Sequence, residues 1–341
     1  MTHFAILNKI SKPLKFEKLS LPELKSKQLL IKIKYSGICR SQIMEIMGLR
    51  GKDKYLPHAL GHEASGIVLK VGKNVKKFKK RDEVILSWIK SKSKDSEKIF
   101  YYNKKKKINS GFVSTFSTHS IVSENRVFKK PKKLSFKNAA LYGCAVPTGA
   151  GIVINQVKPK KKDFVILIGL GGIGIISLIT LNCLGVKNII VIENNIKKIK
   201  LLRFFKIKKF FLNFKKKNIN EIIKLTNGGA KFCIETAGHA KTIEMGLKLI
   251  NKTGKLVFAS HPEFKKKIKI NPYDLILGKK IIGSWGGNSN LDKQIKSYYN
   301  LFKKKNKYFN LILKKIYKFS DINKAIRDLK NGKCLRPIIK M

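Results

Sequence analysis

The feature that most constrains the fold is an uncharged stretch of 23 residues, Phe164 to Val186. Its length would allow a transmembrane helix. Five glycines interrupt it, however, and four of them lie between Gly169 and Gly174. Because glycine favours turns over helix interiors, the stretch is predicted to form a buried strand, a turn and a helix. No membrane span is expected.

The residues that follow repeat this alternation of strand and helix. Between residues 162 and 260, apolar segments such as "FVILI" and "NIIVIE" alternate with helical patterns such as "NINEIIKLTNGG" and "AKTIEMGLKLINKTG". Strands that are apolar on both faces are typical of a parallel sheet covered by helices. The pattern therefore predicts a doubly wound α/β domain of the Rossmann type.

The glycine cluster, "GLGGIG", has the spacing of a dinucleotide-binding turn between a strand and a helix. Gly169 would permit the tight turn, Gly171 the approach of a pyrophosphate, and Gly174 close packing of helix on strand. The free N–H groups at the helix N-terminus favour an anion. An ordinary strand-to-helix turn is the alternative interpretation.

An acidic residue at the end of the second strand indicates which dinucleotide would bind. Glu193 closes "IIVIE", nineteen residues after Gly174. A carboxylate there can accept a hydrogen bond from a ribose 2′-hydroxyl and repels a 2′-phosphate. NAD is therefore predicted over NADP, unless Glu193 is simply a surface carboxylate.

The N-terminal part reads as short strands separated by turns. The segment "QLLIKIKYSGI" predicts a strand that ends at Gly37, and "ASGIVLKVGKNVKKFKKRDEVIL" predicts two more. A β-rich domain is therefore expected before the α/β domain. Near the C-terminus, a lysine-rich helix around residues 294–304 is expected, then a final helix and strand.

Three side chains of the β-rich part could bind a metal ion. Cys39 lies in "YSGICRSQ", His62 in "HALGHEASG" and Cys144 in "LYGCAVPTGAG". Three nitrogen or sulfur ligands from distant segments, with an open fourth position, are typical of a catalytic zinc site. Because single cysteines and histidines are more often structural, the residues alone leave both interpretations open.

Five motifs together decide the matter. In order, "GICRS", "GHE", "GC" followed by "TG", "GLGGIG" and "GKCLRPI" resemble those of the zinc-dependent medium-chain alcohol dehydrogenases, and the resemblance covers essentially the whole chain. It implies a β-rich GroES-like catalytic domain at 1–147, completed by 285–341. It also implies a Rossmann NAD-binding domain at 148–284.

The resemblance assigns roles to individual residues. It implies that Cys39, His62 and Cys144 bind one catalytic zinc, with the Glu63 carboxylate beside it. It also implies that Ser41 takes the proton of the substrate alcohol.

The expected cofactor-binding residues form a second set. Arg40 and Arg336 would bind the pyrophosphate, Lys198 would reach the adenosine ribose, and Thr148 and Ile173 would pack on the nicotinamide. Together with the glycine turn and Glu193, the expected cofactor-binding residues are Arg40, Thr148, Gly169, Gly171, Gly172, Ile173, Gly174, Glu193, Lys198 and Arg336.

The sequence departs from the family at three points. The stretch 87–116 has no cysteine, where many relatives have four that bind a structural zinc, so no structural zinc is expected. Gln42 stands where an aspartate commonly orients the zinc-bound histidine, and its amide oxygen is expected to accept from the imidazole N–H. Met44 replaces a histidine of the proton relay, so the proton is expected to leave through water or the ribose hydroxyl.

The predicted function is hydride transfer between a small alcohol, or its aldehyde or ketone, and NAD. A polyol or sugar-derivative dehydrogenase of the same superfamily is the alternative. The resemblance further implies a homodimer or homotetramer. Five widely spaced cysteines and the lack of an export signal favour a reducing, cytoplasmic location.

The charge raises a third possibility, a basic non-catalytic protein that binds nucleic acid. There are 75 Lys+Arg residues against 20 Asp+Glu, a formal net charge of +55. The lysines are spread over the whole length, however, and arginine, which makes the bidentate contacts to phosphate, is scarce. At most weak, non-specific binding to nucleic acid is expected.

Overall fold

The computed structural model describes residues 1–103 and 106–341. Residues 104 and 105, in the stretch that lacks the four cysteines, lie outside the described residues. The chain folds into two compact units. The first consists of Met1–Ala145 and Asn290–Met341, and the second of Val146–Ser289.

The N-terminal part of the first unit is mainly β-structure. Its strands are β1 (Thr2–Leu7), β2 (Lys15–Leu19), β3 (Gln28–Gly37), β4 (His58–Ala59), β5 (Glu63–Val71), β6 (Glu83–Ser87), β7 (Ile99–Asn103), β8 (Lys106–Gly111), β9 (His119–Ser123) and β10 (Val127–Lys129). Its helices are α1 (Arg40–Ile46) and α2 (Phe136–Ala139), with 3₁₀ turns at Glu124–Arg126 and Ala140–Gly143.

The second unit alternates helix and strand. Helix α3 (Ala145–Gly151) begins at the boundary and continues as a π-helical segment, Ile152–Val157. There follow β11 (Phe164–Ile168), α4 (Gly172–Cys183), β12 (Asn188–Ile192), α5 (Ile196–Ile199), a 3₁₀ segment (Lys200–Phe205), β13 (Lys209–Phe211), α6 (Lys216–Leu225), β14 (Ala230–Glu235), α7 (Ala240–Lys248), β15 (Ile250–Phe258), α8 (Pro272–Ile276), β16 (Lys280–Gly283) and a 3₁₀ turn (Gly286–Asn288).

The C-terminal segment returns to the first unit. It contains α9 (Leu291–Phe302), α10 (Asn306–Ile312), β17 (Ile316–Lys318), a 3₁₀ turn (Phe319–Asp321), α11 (Ile322–Lys330) and β18 (Ile338–Lys340).

The sheet of the second unit is parallel, with the strand order β13-β12-β11-β14-β15-β16. Residues Val165 to Ile168 of its central strand are completely or almost completely buried, because helices cover both faces of a parallel sheet. The uncharged stretch thus forms strand β11, the glycine turn and helix α4. This confirms the doubly wound fold predicted from the sequence.

The main sheet of the first unit positions the candidate site. Its order is β10-β6-β5-β3-β18-β17, and β9 also pairs with β3. Strand β3 ends at Gly37, as predicted, opposite Ile338 of β18 and close to the start of β5. The ends of β3 and β5 therefore bring residues near 39 and 62 together.

One boundary differs from the sequence pattern. The helical pattern "AKTIEMGLKLINKTG" is helix only to Lys248, and β15 begins at Ile250. Ile250 is buried and pairs with Ala230 of β14, so tertiary pairing overrides local helix preference there. Among the described residues, none of the helices has both the length and the apolar character needed to cross a membrane.

Candidate metal centre and cofactor loop

Cys39 is placed by the turn between β3 and α1. It is buried and is the residue that caps the N-terminus of α1. Its backbone N–H donates to Gln42 Oε1 at 2.6 Å. The end of the strand and the helix cap together fix where the thiol lies.

His62 and Glu63 follow Gly61, whose left-handed backbone conformation strongly favours glycine. Gly61 has a φ of +91°, and a Cβ there would overlap Thr115 Oγ1. The turn leads directly into β5, which begins at the buried Glu63. This fixes where the imidazole and the carboxylate enter the site.

Cys144 lies in an irregular backbone conformation, with φ −152° and ψ −65°, after the 3₁₀ turn that ends at Gly143. Gly143 lets this turn lie close to β5 and β6, since a Cβ there would overlap Leu86 O and crowd the backbone of Glu63. The thiol of Cys144 is buried.

The three predicted ligands come together. One candidate ligand atom from each of Cys39, His62 and Cys144 lies within 4.8 Å of the others. His62 Nε2 is buried and has no hydrogen-bond partner among the described residues. A buried nitrogen without a partner is costly unless something binds it. Two thiols and one imidazole are the donor chemistry of zinc, so the residues fit a zinc ion.

The electrostatics of the two thiols also suit a cation. The hydrogen bond with Cys144 and the positive charge of Arg336 hold the pKa of Cys39 well below its usual range, against the effect of burial. The same hydrogen bond and burial raise the pKa of Cys144. A divalent cation that displaced the thiol protons would bind two thiolates.

Glu63 and Arg336 form a buried ion pair beside the thiols. Arg336 Nε donates to Glu63 Oε1 at 2.6 Å, and the backbone N–H of Ala145 donates to Oε2 at 3.3 Å. A Cβ at Gly37 would overlap Oε1, so this glycine leaves room for the carboxylate. Arg336 Nη2 is buried without a hydrogen-bond partner in the described residues. Arg336, which is predicted to bind the pyrophosphate, therefore has its Nε paired with Glu63 and its Nη2 without a partner among the described residues.

The other predicted residues of this segment differ in exposure. Ser41 lies in the first turn of α1, and its Oγ is buried with no hydrogen-bond partner among the described residues. Arg40 begins the same helix and is exposed, and Met44 is buried on it. The free hydroxyl of Ser41 is compatible with a role in proton transfer.

Gln42 is oriented differently from the expectation. Its Oε1 accepts from Cys39 N–H, and its Nε2 lies 2.6 Å from His62 Nδ1. The sequence predicts that the amide oxygen, not the nitrogen, faces the imidazole. The physical reason is competition, because the unpaired N–H at the helix N-terminus binds the oxygen first.

The glycine loop has the geometry expected of each position. Gly169 has a φ of +87°, whereas a Cβ on Gly171 would meet nothing within 4 Å. A Cβ on Gly174 would overlap the carbonyl oxygen of Gly169, so the helix packs closely on the turn. Gly172 is the first residue of α4, and Ile173 lies in its first turn. The open space beside Gly171 leaves room for a ligand.

Glu193 and Lys198 lie beside this loop. Glu193 Oε2 accepts from Leu170 N–H at 2.7 Å, and Oε1 accepts from Asn195 N–H at 2.9 Å. Lys198 Nζ lies 3.6 Å from Glu193 Oε2. The carboxylate therefore shapes the turn, and each oxygen keeps a lone pair for a further donor.

The Thr148 segment packs on the start of α4. A Cβ on the neighbouring Gly149 would lie 2.7 Å from Ile173 O, which brings Thr148 and Ile173 close in space. Thr148 Oγ1 is buried and has no hydrogen-bond partner within the described ranges.

One aromatic contact at the site could not be derived from the sequence. The ring of Trp88 lies edge-on to His62, with centroids 6.3 Å apart and planes at 62°. Trp88 directly follows β6, but nothing in its neighbours along the chain indicates a partner 26 positions away.

Two protein-family models match this chain. The model of the alcohol dehydrogenase GroES-like domain matches residues 25–132, and that of the zinc-binding dehydrogenases matches residues 172–304. Together they cover well over half of the chain.

Two curated relatives match over nearly their full length. Alcohol dehydrogenase class-2 isozyme 2 of Oryctolagus cuniculus is 28% identical, over 98% of this chain and 96% of the relative. The S-(hydroxymethyl)glutathione dehydrogenase of Saccharomyces cerevisiae is 26% identical, over 98% and 95%.

Solved structures share the fold. Benzyl alcohol dehydrogenase from Acinetobacter calcoaceticus superposes with a TM-score of 0.90 at 23% identity, covering 100% of this chain and 99% of that one. The 2R,3R-butanediol dehydrogenase from Bacillus subtilis gives 0.81 at 20% identity, covering 100% of both.

The fold and the matched models thus define a zinc-type dehydrogenase with a GroES-like domain and a Rossmann-type domain. More narrowly, the chain belongs to the zinc-dependent medium-chain alcohol dehydrogenase family. The resemblance seen in the five motifs is confirmed.

Proposed function

We propose that this protein is an NAD-linked, zinc-dependent oxidoreductase that interconverts a small alcohol and its aldehyde or ketone. The observation that carries the proposal is the convergence of Cys39, Cys144 and the unpartnered nitrogen of His62 within 4.8 Å, in a chain of this family.

Three side chains would hold the metal and one would move the proton. Cys39, His62 and Cys144 bind zinc, which when bound supplies a Lewis acid that lowers the pKa of an alcohol. Ser41 Oγ takes the hydroxyl proton, and because Met44 cannot relay it, the proton leaves through water or the ribose hydroxyl. NAD⁺, when bound, would supply the acceptor for the hydride that leaves the substrate carbon.

Two buried groups keep the ligands in place. The Glu63 carboxylate, paired with Arg336 and bonded to Ala145 N–H, places a negative charge beside the thiols. In the metal-free protein, Gln42 Nε2 orients the His62 ring through Nδ1. Both interactions hold the donor atoms in place before a substrate binds.

NAD is the proposed dinucleotide. Gly169, Gly171, Gly172, Ile173 and Gly174 form its phosphate loop, Glu193 accepts from the ribose, and Arg40, Arg336, Lys198 and Thr148 complete the set. The support is the open backbone at Gly171 and a carboxylate already placed at the loop. The negative charge of Glu193 disfavours the 2′-phosphate of NADP.

We also propose that the chain self-associates as a homodimer or homotetramer through the β16 side of the second unit. Within the described residues, β16 ends the strand order of its sheet. Tyr273, Ile276 and Trp285 nearby are largely exposed. Exposed apolar side chains next to an edge strand favour association. Sedimentation equilibrium tests this, and a monomer at micromolar concentration would contradict it.

The test of the function pairs metal content with turnover. The purified protein is expected to contain one zinc per chain and to form NADH from members of a panel of primary alcohols, secondary alcohols and diols. Cys39→Ser and Cys144→Ser should lose both zinc and turnover.

The control is Cys183→Ser, which removes a thiol from α4 and should keep both properties. Zinc-free protein that lacks turnover, and binds DNA tightly in physiological salt, would contradict the proposal and favour the basic binding protein.

A further inference from the structure

The segment between β6 and β7, residues 88–98, has no cysteine, yet it is tightly held. Several of its polar contacts come from the end of β9 and the turn after it. Ser91 N–H donates to the carbonyl of Asn125 at 2.8 Å, and Asn125 Nδ2 donates to the carbonyl of Ser93 at 2.9 Å. Ser96 N–H donates to Ser123 Oγ at 2.9 Å. The segment is therefore fixed to residues 123–126.

Arg126 makes the strongest of these contacts. Its Nε and Nη2 donate to the two oxygens of Asp95 at 2.9 and 3.1 Å, a bidentate pair. The side chains are 15% and 19% exposed, so water screens the pair less than a surface ion pair. The guanidinium also lies 5.7 Å from the centroid of the Phe112 ring. These contacts fix the guanidinium in one orientation.

The remaining nitrogen of Arg126 reaches the other end of the segment. Arg126 Nη1 donates to the carbonyl oxygen of Trp88, so a single guanidinium joins residue 88 to residue 95. The residue before Trp88 is also fixed, because Ser87 Oγ donates to the carbonyl of Gly143 at 2.6 Å. Trp88 is thus restrained from two directions.

The restrained residue faces the candidate metal centre. The Trp88 ring meets the His62 ring edge-on at 6.3 Å, and Gly143 directly precedes Cys144. Arg126 itself touches none of the three ligands in the contacts given for the described residues. Arg126 can therefore affect the metal centre only indirectly, through its hydrogen bond to the Trp88 carbonyl.

We propose that Arg126, held by Asp95, is a positioning residue that fixes Trp88 against His62 and so sets the space for the alcohol beside the metal centre. The Arg126–Asp95 ion pair orders residues 88–98, in the stretch where many relatives bind a structural zinc. The effect on the alcohol rests on the proposed function, whereas the position of Trp88 does not.

The position of Trp88 can be measured without turnover. The chain has two tryptophans, so Trp285→Phe leaves Trp88 as the single emitter. In this background, Arg126→Gln and Asp95→Asn should make Trp88 more accessible to acrylamide. They should also reduce the change in its emission when zinc is added to metal-free protein.

A matched control removes another ion pair of the same segment. Lys25 and Glu97 lie 2.6 Å apart but are 58% and 67% exposed, and exposed pairs contribute little. Lys25→Gln should leave quenching and emission unchanged. Arg126→Lys keeps the charge but loses the two-pronged contact, so it should behave like Arg126→Gln.

The kinetic readout separates positioning from folding. Arg126→Gln should keep one zinc per chain and raise KM for the alcohol by about 10-fold or more, with a smaller change in kcat and no change in KM for NAD. Asp95→Asn, which leaves the arginine in place, supplies the same test if Arg126→Gln does not fold.

The outcomes are distinguishable. A folded Arg126→Gln variant with unchanged quenching, zinc response and alcohol KM overturns the proposal. If no variant, nor the parent, shows turnover, the proposed function fails. Acrylamide quenching that still depends on Arg126 would then support the positional claim alone.

Discussion

Gln42 provides the sharpest prediction, because its amide is engaged on both sides. The oxygen accepts from Cys39 N–H and the nitrogen faces His62 Nδ1, each at 2.6 Å. An imidazole that binds zinc through Nε2 carries its proton on Nδ1. An amide N–H would then face an imidazole N–H, and the side chain must rotate or lose that contact. Rotation leaves Cys39 N–H without its acceptor.

Gln42→Glu removes this conflict, since a carboxylate offers one oxygen to each donor. One buried donor left unsatisfied costs about 1–3 kcal/mol. This corresponds to roughly a 5- to 150-fold change in an equilibrium constant. Partners of metal-bound histidines typically affect metal affinity by about 10- to 100-fold. Zinc affinity of Gln42→Glu is therefore expected to rise by about 10-fold or more.

The assay is chelator competition on metal-free protein, with zinc affinity as the readout. Gln42→Met, similar in length but without polar atoms, is the control, because it removes the helix-capping acceptor and the opposing N–H together. It should not bind zinc more tightly than Gln42→Glu. Zinc affinity of Gln42→Glu equal to or weaker than that of the parent would show that the Gln42 amide does not oppose zinc binding.

Three further predictions concern stability. Gly37→Ala should reduce the free energy of unfolding by about 1–3 kcal/mol, because a Cβ would overlap Glu63; a denaturant midpoint equal to the parent's would contradict this. Glu63→Gln should cost about 3–5 kcal/mol, because it leaves Arg336 buried without its partner charge, and a loss below that seen for Gly37→Ala would count against it. Burial opposes ionisation of Asp95, but hydrogen bonds from Arg126 outweigh it and lower its pKa. The stability lost in Asp95→Asn should therefore be constant from pH 7 to about 5 and shrink as pH falls through the lowered pKa; a loss that grows in acid would exclude this linkage.

Much of this fold can be predicted from short segments of the sequence. Strand β11, the glycine turn and α4 follow from the uncharged stretch, because only glycine allows the turn at Gly169 and the close packing at Gly174. The convergence of Cys39 and His62 follows from glycines at the ends of β3 and β5. The end of α7 does not follow, because pairing of Ile250 with β14 decides it.

The details that tune the site depend on contacts distant in sequence. The contact between Trp88 and Arg126 joins residues 38 positions apart, and no periodicity signals it. The orientation of Gln42 depends on which of two donors binds its oxygen. Glu193 lies where the sequence placed it, but its bond to Leu170 N–H depends on how the glycine turn folds around it.

The central claim, that two thiolates and one imidazole bind zinc, is tested most directly by zinc K-edge X-ray absorption of the purified protein. Two sulfur neighbours at about 2.3 Å and one nitrogen at about 2.0 Å are expected, with the remaining position taken by a light atom. A shell of four sulfurs, or of nitrogen and oxygen alone, would contradict it.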